Sequence, residues 1–145
     1  MKPISILLIE DNEGDIILTM EALREGKIRN TISVVRDGAT AINFFENAQA
    51  EELPDLIVLD INLPKKSGIQ VLQFIKNQER TKQIPVIILT TSALESDINK
   101  AYRQYANCYI TKPVDFMRFA ETLKRVGLFI MILRVSKING DNIKK

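Results

Sequence analysis

The stretch IVLDINLPKKSG, residues 57–68, sets a single carboxylate at the end of an apolar run. Ile57, Val58 and Leu59 precede Asp60, and a proline, two lysines and a glycine follow. Short runs rich in Ile and Val, without polar interruptions, are typical of strands covered on both faces of a parallel sheet. The stretch therefore predicts a buried strand that carries Asp60 to the rim of a sheet, followed by a sharp turn.

The sequence contains four more apolar runs of this kind, at 4–9, 31–35, 85–89 and 108–110. Between the runs, apolar residues recur with the spacing of a helix that is buried on one side. They are Ile16, Met20 and Leu23; Ala41, Ile42 and Phe45; Ile69, Leu72 and Ile75; Ile98, Ala101 and Tyr105; and a last stretch from about 114 to the mid-130s. Strands that alternate with helices in this way predict an α/β fold with right-handed crossovers.

The chain has 145 residues, of which 46% are apolar and 26% charged, the composition of one globular domain. Its formal net charge of +2 gives no indication of nucleic-acid binding. The one cysteine, Cys108, can form no internal disulfide and indicates a reducing compartment. No apolar run approaches the roughly 20 residues of a membrane span, and the first residues lack a signal-peptide pattern. We therefore expect a cytoplasmic protein that contacts neither nucleic acid nor membrane.

Polar side chains follow the predicted strands, at the edge where doubly wound sheets bind their ligands. The residues are Glu10 and Asp11 after the first strand, Asp60 after the third, Thr90, Thr91 and Ser92 after the fourth, and Thr111, Lys112 and Pro113 after the fifth. Carboxylates close together repel one another, and a cation between them relieves the repulsion. Because the chain has no histidine, its oxygen ligands favour Mg²⁺ or Mn²⁺.

An ion of this kind binds phosphate oxygens, so the same edge of the sheet suits phosphoryl transfer. A lysine and a hydroxyl, such as Lys112 and Thr90, can hold the other phosphoryl oxygens. A carboxylate is a competent nucleophile, and its product with phosphorus is an aspartyl phosphate. Asp60 is therefore the candidate nucleophile.

Four motifs in order, LLIEDNEGD, LIVLDINLPKKSG, VIILTTSA and CYITKPV, resemble the receiver domains of two-component response regulators. The resemblance covers about residues 4–126, and Lys112 lies 22 positions after Thr90, as in that family. It implies a flavodoxin-like (βα)5 three-layer sandwich whose five-stranded parallel sheet has the order 2-1-3-4-5. The segments NCYITKP and FAETLKRVGLF are similar to the stand-alone regulators that partner bacterial phytochromes.

The resemblance also implies a role for each residue of the site. Asp60 would be the phosphoacceptor, Asp11 a direct Mg²⁺ ligand and Glu10 a more distant acidic partner. The remaining roles are the Asn62 backbone carbonyl as a metal ligand, Thr90 as the switch hydroxyl, Lys112 as the amine that pairs with phosphate, and Tyr109 as the aromatic switch.

Two positions depart from the family pattern. Glu10 stands where the family usually has aspartate, and Thr91 stands where it usually has a small residue. We expect both to tune affinity and phosphoryl lifetime without abolishing phosphorylation. In the turn after Asp60, Pro64 presets one backbone angle and Gly68 is expected to supply an unusual one, so that the turn folds back toward the metal.

The predicted domain limits are a receiver domain at 1–126 and a C-terminal extension at 127–145, which continues the fifth helix and ends in a frayed tail. A helical apolar stripe runs through Phe116, Phe119, Leu123, Val126, Ile130 and Leu133. Further apolar residues, Leu128, Phe129, Met131 and Ile132, lie on other faces of that helix. Such a surface predicts a homodimer through the helix 5 region, unless the last turns fold back on the body.

The function that follows is that of a single-domain response regulator. A sensor histidine kinase, of the phytochrome type, would phosphorylate Asp60 with Mg²⁺, and the message would pass by protein contacts. In this interpretation the chain is not an enzyme in its own right. Two alternatives stay open: a phosphatase with an aspartate nucleophile, and a receiver-like binding module that is not phosphorylated.

Overall fold

The computed structural model describes residues 3–25, 30–90, 108–111, 117, 121–122 and 124–125. Up to residue 90, strands and helices alternate as the sequence predicts. The elements are β1 (Ile4–Ile9), α1 (Glu13–Glu25), β2 (Asn30–Val35), α2 (Gly38–Asn47), a short 3₁₀ helix (Ala50–Glu52), β3 (Leu56–Asp60), α3 (Gly68–Lys76), β4 (Val86–Thr90) and β5 (Cys108–Thr111).

The five strands form one parallel sheet in the order β2-β1-β3-β4-β5. This order confirms the α/β flavodoxin-like fold class. The register aligns the carboxyl ends of the central strands: Ile9 pairs with Leu59, and Asp60 pairs with Leu89. Residues that follow β1, β3 and β4 are therefore neighbours at one edge of the sheet.

Apolar side chains cover both faces of the central strands, because successive residues of a strand point to opposite sides. On β1, Ile6 and Leu8 pack with the α1 residues Ile16 and Leu23. On the other face, the same strand's Leu7 and Ile9 pack with residues of α2 and α3, namely Ala41, Phe45, Val71, Leu72 and Ile75. Burial of each large aliphatic side chain contributes about 1.5–3 kcal/mol, so the two faces together hold the sheet and its rim in place.

The edge strand β2 differs from the expectation for its run at 31–35. Its six residues are intermediate or exposed, with none buried, whereas all five residues of β3 are buried. The reason is its position: β2 is an edge strand, so only one of its sides pairs with another strand.

The predicted helical stripes of α1, α2 and α3 are confirmed, since their residues are buried or packed against the core. The fourth stripe, with Ile98, Ala101 and Tyr105, lies outside the described residues, and so do the six residues of the helix 5 stripe and the predicted boundary at 126. Within the described part of the chain, no helix has the length and apolar character of a membrane span.

Candidate phosphoacceptor and metal site

The three acids predicted from the sequence come together at the rim of the sheet. Glu10 and Asp11 directly follow β1, and Asp60 is the last residue of β3. One carboxylate oxygen from each lies within 4.8 Å of the others. Glu10 is 0% exposed and Asp60 2%, while Asp11 is exposed to solvent. The cluster is thus a recess with two buried acids and one at its mouth.

Backbone N–H groups fix the buried Glu10 carboxylate. Its Oε2 accepts hydrogen bonds from the Asp11 N–H at 3.1 Å and the Asn12 N–H at 3.3 Å. Asn12 also caps the start of α1, because its side-chain oxygen accepts from the Asp15 N–H at 2.9 Å. The longer glutamate side chain can fold back on its own backbone in this way, which holds the charge at the rim.

The Asp60 carboxylate is held by the loop that follows it, residues 61–67, which we call the acceptor loop. Asp60 Oδ1 accepts from the Asn62 N–H at 3.0 Å. The Ile61 N–H continues the sheet by donating to the Leu89 carbonyl at 2.9 Å. Asn62 is therefore bonded directly to the predicted phosphoacceptor.

In the turn after Asp60, the residue with the unusual backbone angle is not the one expected. Among the described residues, Lys65 alone of the non-glycine residues has a positive φ, 65°, and no glycine has one. Gly68 is needed for space: a Cβ there would lie 2.5 Å from the Asp60 carbonyl oxygen and 2.5 Å from Ile61 Cα. The expectation of an unusual backbone angle at Gly68 was therefore wrong. Glycine is needed there because the backbone of Gly68 approaches that of Ile61 closely, and its N–H donates to the Ile61 carbonyl at 3.0 Å.

The acceptor loop also contacts the start of α2, which the sequence analysis missed. The Gly38 N–H donates to the Pro64 carbonyl at 3.4 Å, and a Cβ on Gly38 would overlap the Lys66 carbonyl group. Asp37 Oδ2 lies 4.0 Å from Lys65 Nζ. The Asp-Gly pair was readable from the sequence as a turn signal, but its contact with a loop some 27 positions later was not.

The switch residues are described in part. Thr90 is the last residue of β4, one position beyond the partner of Asp60, and its Cα pairs with that of Thr111. Tyr109 lies in β5 and pairs with Ile88. Lys112 and Thr91 lie outside the described residues. Of the predicted site, the structure thus brings Glu10, Asp11, Asp60 and Asn62 together and sets the backbone of Thr90 at the same edge.

The donor set of this recess fits a hard divalent cation. All three converging side chains offer carboxylate oxygens, the ligands that Mg²⁺ and Mn²⁺ prefer. Two of them are buried, where like charges repel more strongly than in water. The exposed position of Asp11 leaves an open side, as suits an ion that keeps some of its waters. Doubly wound sheets bind their ligands at this edge, so the recess places the chain in the class of α/β proteins that can bind a divalent cation together with phosphate there.

Comparison with known proteins narrows this class to one family. The sequence matches the response regulator receiver domain family over residues 6–124. The response regulator Rcp1 from Synechocystis sp. is 42% identical over 113 residues, which cover 76% of this chain and 77% of that protein. The chain therefore belongs to the response regulator receiver domain family of two-component signalling.

Solved structures of response regulators and receiver domains are similar to this chain over most of its length. The Mn²⁺-bound form of Rcp1 has a TM-score of 0.70 at 38% identity and covers 86% of this chain and 91% of its own. The phosphorylated cyanobacterial phytochrome response regulator RcpA has a TM-score of 0.71 at 39% identity, over 90% and 95%. The receiver domain of the Pseudomonas aeruginosa sensor histidine kinase PA1611, with magnesium in its active-site cleft, has a TM-score of 0.71 at 28% identity, over 87% and 98%.

Proposed function

We propose that this chain is a response regulator that accepts a phosphoryl group on Asp60 from a histidine kinase. The observation that carries the proposal is the convergence of Glu10, Asp11 and Asp60 within 4.8 Å at the rim of a receiver-fold sheet. Because the acids come from two different strands, the arrangement is unlike the aspartate-nucleophile phosphatases considered above, whose two acids sit two residues apart on one strand. Among the residues that the structure describes, no observation favours the phosphatase alternative.

A divalent cation, Mg²⁺ or Mn²⁺, would be held by four groups of this chain. They are the carboxylates of Asp11 and Asp60, the Asn62 backbone carbonyl and, as a more distant partner, the carboxylate of Glu10. When bound, the metal offsets the negative charge of the carboxylates and of the incoming phosphoryl oxygens. The relatives Rcp1 and PA1611 hold Mn²⁺ and magnesium, which supports the same role here.

The group transfer proceeds at the Asp60 carboxylate. One carboxylate oxygen attacks phosphorus, the P–N bond of the donor phosphohistidine breaks, and its electron pair returns to the imidazole nitrogen. The product is an acyl phosphate on Asp60. Thr90 and Lys112 would bind the new phosphoryl oxygens, and Tyr109 would turn inward as the surface changes partners. A coupling of about 1–3 kcal/mol between site and surface suffices for such a switch.

The partners follow from the same comparison. RcpA is a phytochrome response regulator, which supports a phytochrome-type kinase as the phosphoryl donor here. On α1, the helix that follows Glu10 and Asp11, Ile17 and Leu18 are 50% and 43% exposed, which suits contact with a protein donor. The apolar stripe that the sequence predicts at residues 116–133 supports a homodimer, and sedimentation with and without beryllofluoride tests whether phosphorylation makes or breaks it.

Incubation with acetyl phosphate and Mg²⁺, followed by intact mass spectrometry, tests the central claim. We expect one added phosphoryl group on the wild type and none on Asp60→Asn. Asp55→Asn is the matched control, because Asp55 precedes β3 at the opposite edge of the sheet, where its Oδ2 accepts from the Ser5 N–H at 2.9 Å. Equal labelling of Asp60→Asn and wild type, or none on the wild type, would refute the proposal.

A further inference from the structure

The acceptor loop is seated on the first residues of α2. The Gly38 N–H donates to the Pro64 carbonyl at 3.4 Å. A Cβ on Gly38 would lie 2.8 Å from the Lys66 carbonyl carbon and would overlap the oxygen bonded to it. Asp37 Oδ2 is 4.0 Å from Lys65 Nζ. Three consecutive residues of the loop therefore contact two consecutive residues at the start of one helix.

The ends of the same loop are tied to Asp60 and its neighbour. The Asn62 N–H donates to Asp60 Oδ1 at 3.0 Å, and the Gly68 N–H donates to the Ile61 carbonyl at 3.0 Å. The loop has only seven residues between β3 and α3, and backbone contacts hold it at both ends and at its middle. If the middle of the acceptor loop is displaced, we therefore expect the backbone of Asn62 to move with it, because the loop is short and held at both ends.

We propose that Gly38 is a positioning residue of the phosphoacceptor site. Its missing side chain lets the acceptor loop approach α2, and this contact sets where the Asn62 backbone stands relative to the Asp60 carboxylate. Gly38 is not one of the groups proposed to hold the metal or the phosphoryl group, so it acts only through its contact with the loop. The inference rests on the proposed function, because it concerns the site's competence to hold Mg²⁺ and to accept phosphate.

The conformation of Gly38 does not by itself call for glycine. No described glycine has a positive φ, and Gly38 is the first residue of α2, where alanine favours a helix more than glycine does. Without the Lys66 contact, Gly38→Ala would be harmless or helpful. The contact makes the opposite prediction: either Lys66 or the helix must move, and the acceptor loop moves with it.

Gly14 offers a matched control in the same protein. It is the second residue of α1, which begins shortly after Glu10 and Asp11 in the sequence, so a glycine-to-alanine change there has the same chemistry at the start of a helix. A Cβ on Gly14 would approach only the end of the Asn12 side chain, at 3.3 Å, and no backbone of another element. Gly14→Ala therefore tests the effect of the substitution without displacing the acceptor loop.

The first experiment measures Mg²⁺ affinity by competition with Mn²⁺, which is followed by electron paramagnetic resonance. We expect Gly38→Ala to bind Mg²⁺ about tenfold more weakly, the size of effect seen when the partners behind metal ligands are lost. The initial rate of labelling by acetyl phosphate should fall with it, while Gly14→Ala stays at the wild-type values. A folded Gly38→Ala with wild-type Mg²⁺ affinity overturns the inference and leaves the proposed function standing.

The second experiment needs no variant, so it holds even if Gly38→Ala fails to fold. Coupling between two sites is reciprocal. If the contact between Gly38 and the acceptor loop favours metal binding, metal binding must in turn stabilise that contact. We expect saturating Mg²⁺ to slow hydrogen exchange at the Gly38 amide of the wild type. The Ala48 amide, which donates to the Phe44 carbonyl at 2.9 Å at the other end of α2, should be unchanged.

The outcomes separate the two claims. Unchanged exchange at Gly38 in a protein that binds Mg²⁺ overturns the positioning role alone. A wild-type protein that binds no Mg²⁺ and takes no phosphoryl group overturns the proposed function, and the positioning role with it.

Discussion

Thr19 and Thr81 are both buried threonines, but only the hydroxyl of Thr81 has a hydrogen-bond partner among the described residues. Thr19, on α1, is 0% exposed, and its Oγ1 has no hydrogen-bond partner among the described residues. A buried hydroxyl without a partner costs about 1–3 kcal/mol relative to its hydration in the unfolded chain. We therefore expect Thr19→Val, which keeps the shape of the side chain, to raise the free energy of unfolding by about 1 kcal/mol in a urea titration.

Thr81 supplies the matched comparison. Thr81 follows α3 and is 2% exposed. Its Oγ1 donates to the carbonyl of Ile75, near the end of that helix, at 2.6 Å. Thr81→Val removes that donor and leaves a carbonyl unpaired, so we expect a loss of about 1–3 kcal/mol. If the two variants change stability in the same direction, the hydroxyl's partner is not what decides the outcome.

Lys65 carries the strain of the turn after Asp60. Its φ of 65° lies in the left-handed region, which costs an ordinary L-residue about 1–2 kcal/mol but suits asparagine. Its ion pair with Asp37 is long, at 4.0 Å, and the lysine side chain is 70% exposed, so the loss of that pair matters little. We expect Lys65→Asn to raise the free energy of unfolding by about 0.5–1 kcal/mol in urea.

Lys66→Asn is the control for this change, because Lys66 is the adjacent exposed lysine and its φ is not positive. It should give no gain. Equal gains from both substitutions would mean that removal of charge, and not backbone conformation, stabilises the loop.

At the scale of elements, the sequence predicts most of the sheet correctly, and the reason is local. Runs of Ile and Val define β1, β3 and β4 and predict that both faces are covered, as the structure shows for Ile6 and Leu8 on one face and Leu7 and Ile9 on the other. The contact between Gly38 and the acceptor loop was not predictable, because it joins residues distant in sequence and is made by backbone atoms. A glycine indicates that space or an unusual angle is needed, and only coordinates decide which.

The cap of α2 makes stability depend on pH. Asp37 Oδ1 accepts from the Thr40 N–H at 2.7 Å and Oδ2 from the Thr40 hydroxyl at 2.9 Å. The Thr40 backbone N–H first, then the Thr40 hydroxyl and the charge of Lys65, hold the pKa of the Asp37 carboxyl below its ordinary value. In the pH window between the folded and unfolded pKa, the unfolded chain binds more protons, so stability rises with pH there.

The stabilisation from Asp37 is therefore complete above its unfolded pKa of about 3.9 and is lost as pH falls through the lower, folded pKa. Asp37→Asn keeps a good capping oxygen but does not titrate. We expect the wild type's advantage over this variant, measured by urea unfolding, to shrink as pH falls from about 5 to about 3. Parallel stability curves for the two proteins over that range would show that the cap does not titrate with folding.

At the scale of the whole molecule, the fold brings together acids that the chain keeps far apart. Glu10 and Asp60 are 50 positions apart in the sequence, and the pairing of β1 with β3 makes them neighbours. Their convergence was predictable because the order of strand ends followed from the resemblance to receiver domains. The burial of Glu10 was not predictable, since the sequence does not show which of the two adjacent acids faces the interior.

This crowding links stability to the metal. Without a cation, two buried carboxylates and a third within 4.8 Å repel one another and oppose folding. A cation that binds only the folded protein stabilises it by about 2.7 kcal/mol at a concentration 100 times its dissociation constant. For a chain of this length we expect Mg²⁺ to raise the Tm by roughly 5–10 °C under those conditions.

Glu10→Gln separates the two effects. It keeps a side-chain oxygen for the Asp11 and Asn12 N–H groups and removes one buried charge. We expect a higher Tm than the wild type without Mg²⁺ and a smaller rise when Mg²⁺ is added, in a thermal scan at fixed protein concentration. Glu46→Gln, an exposed carboxylate near the end of α2, should change neither value. If Glu10→Gln lowers the Tm without Mg²⁺, the hydrogen bonds of the carboxylate outweigh its repulsion, and the buried acid is a structural anchor of the rim.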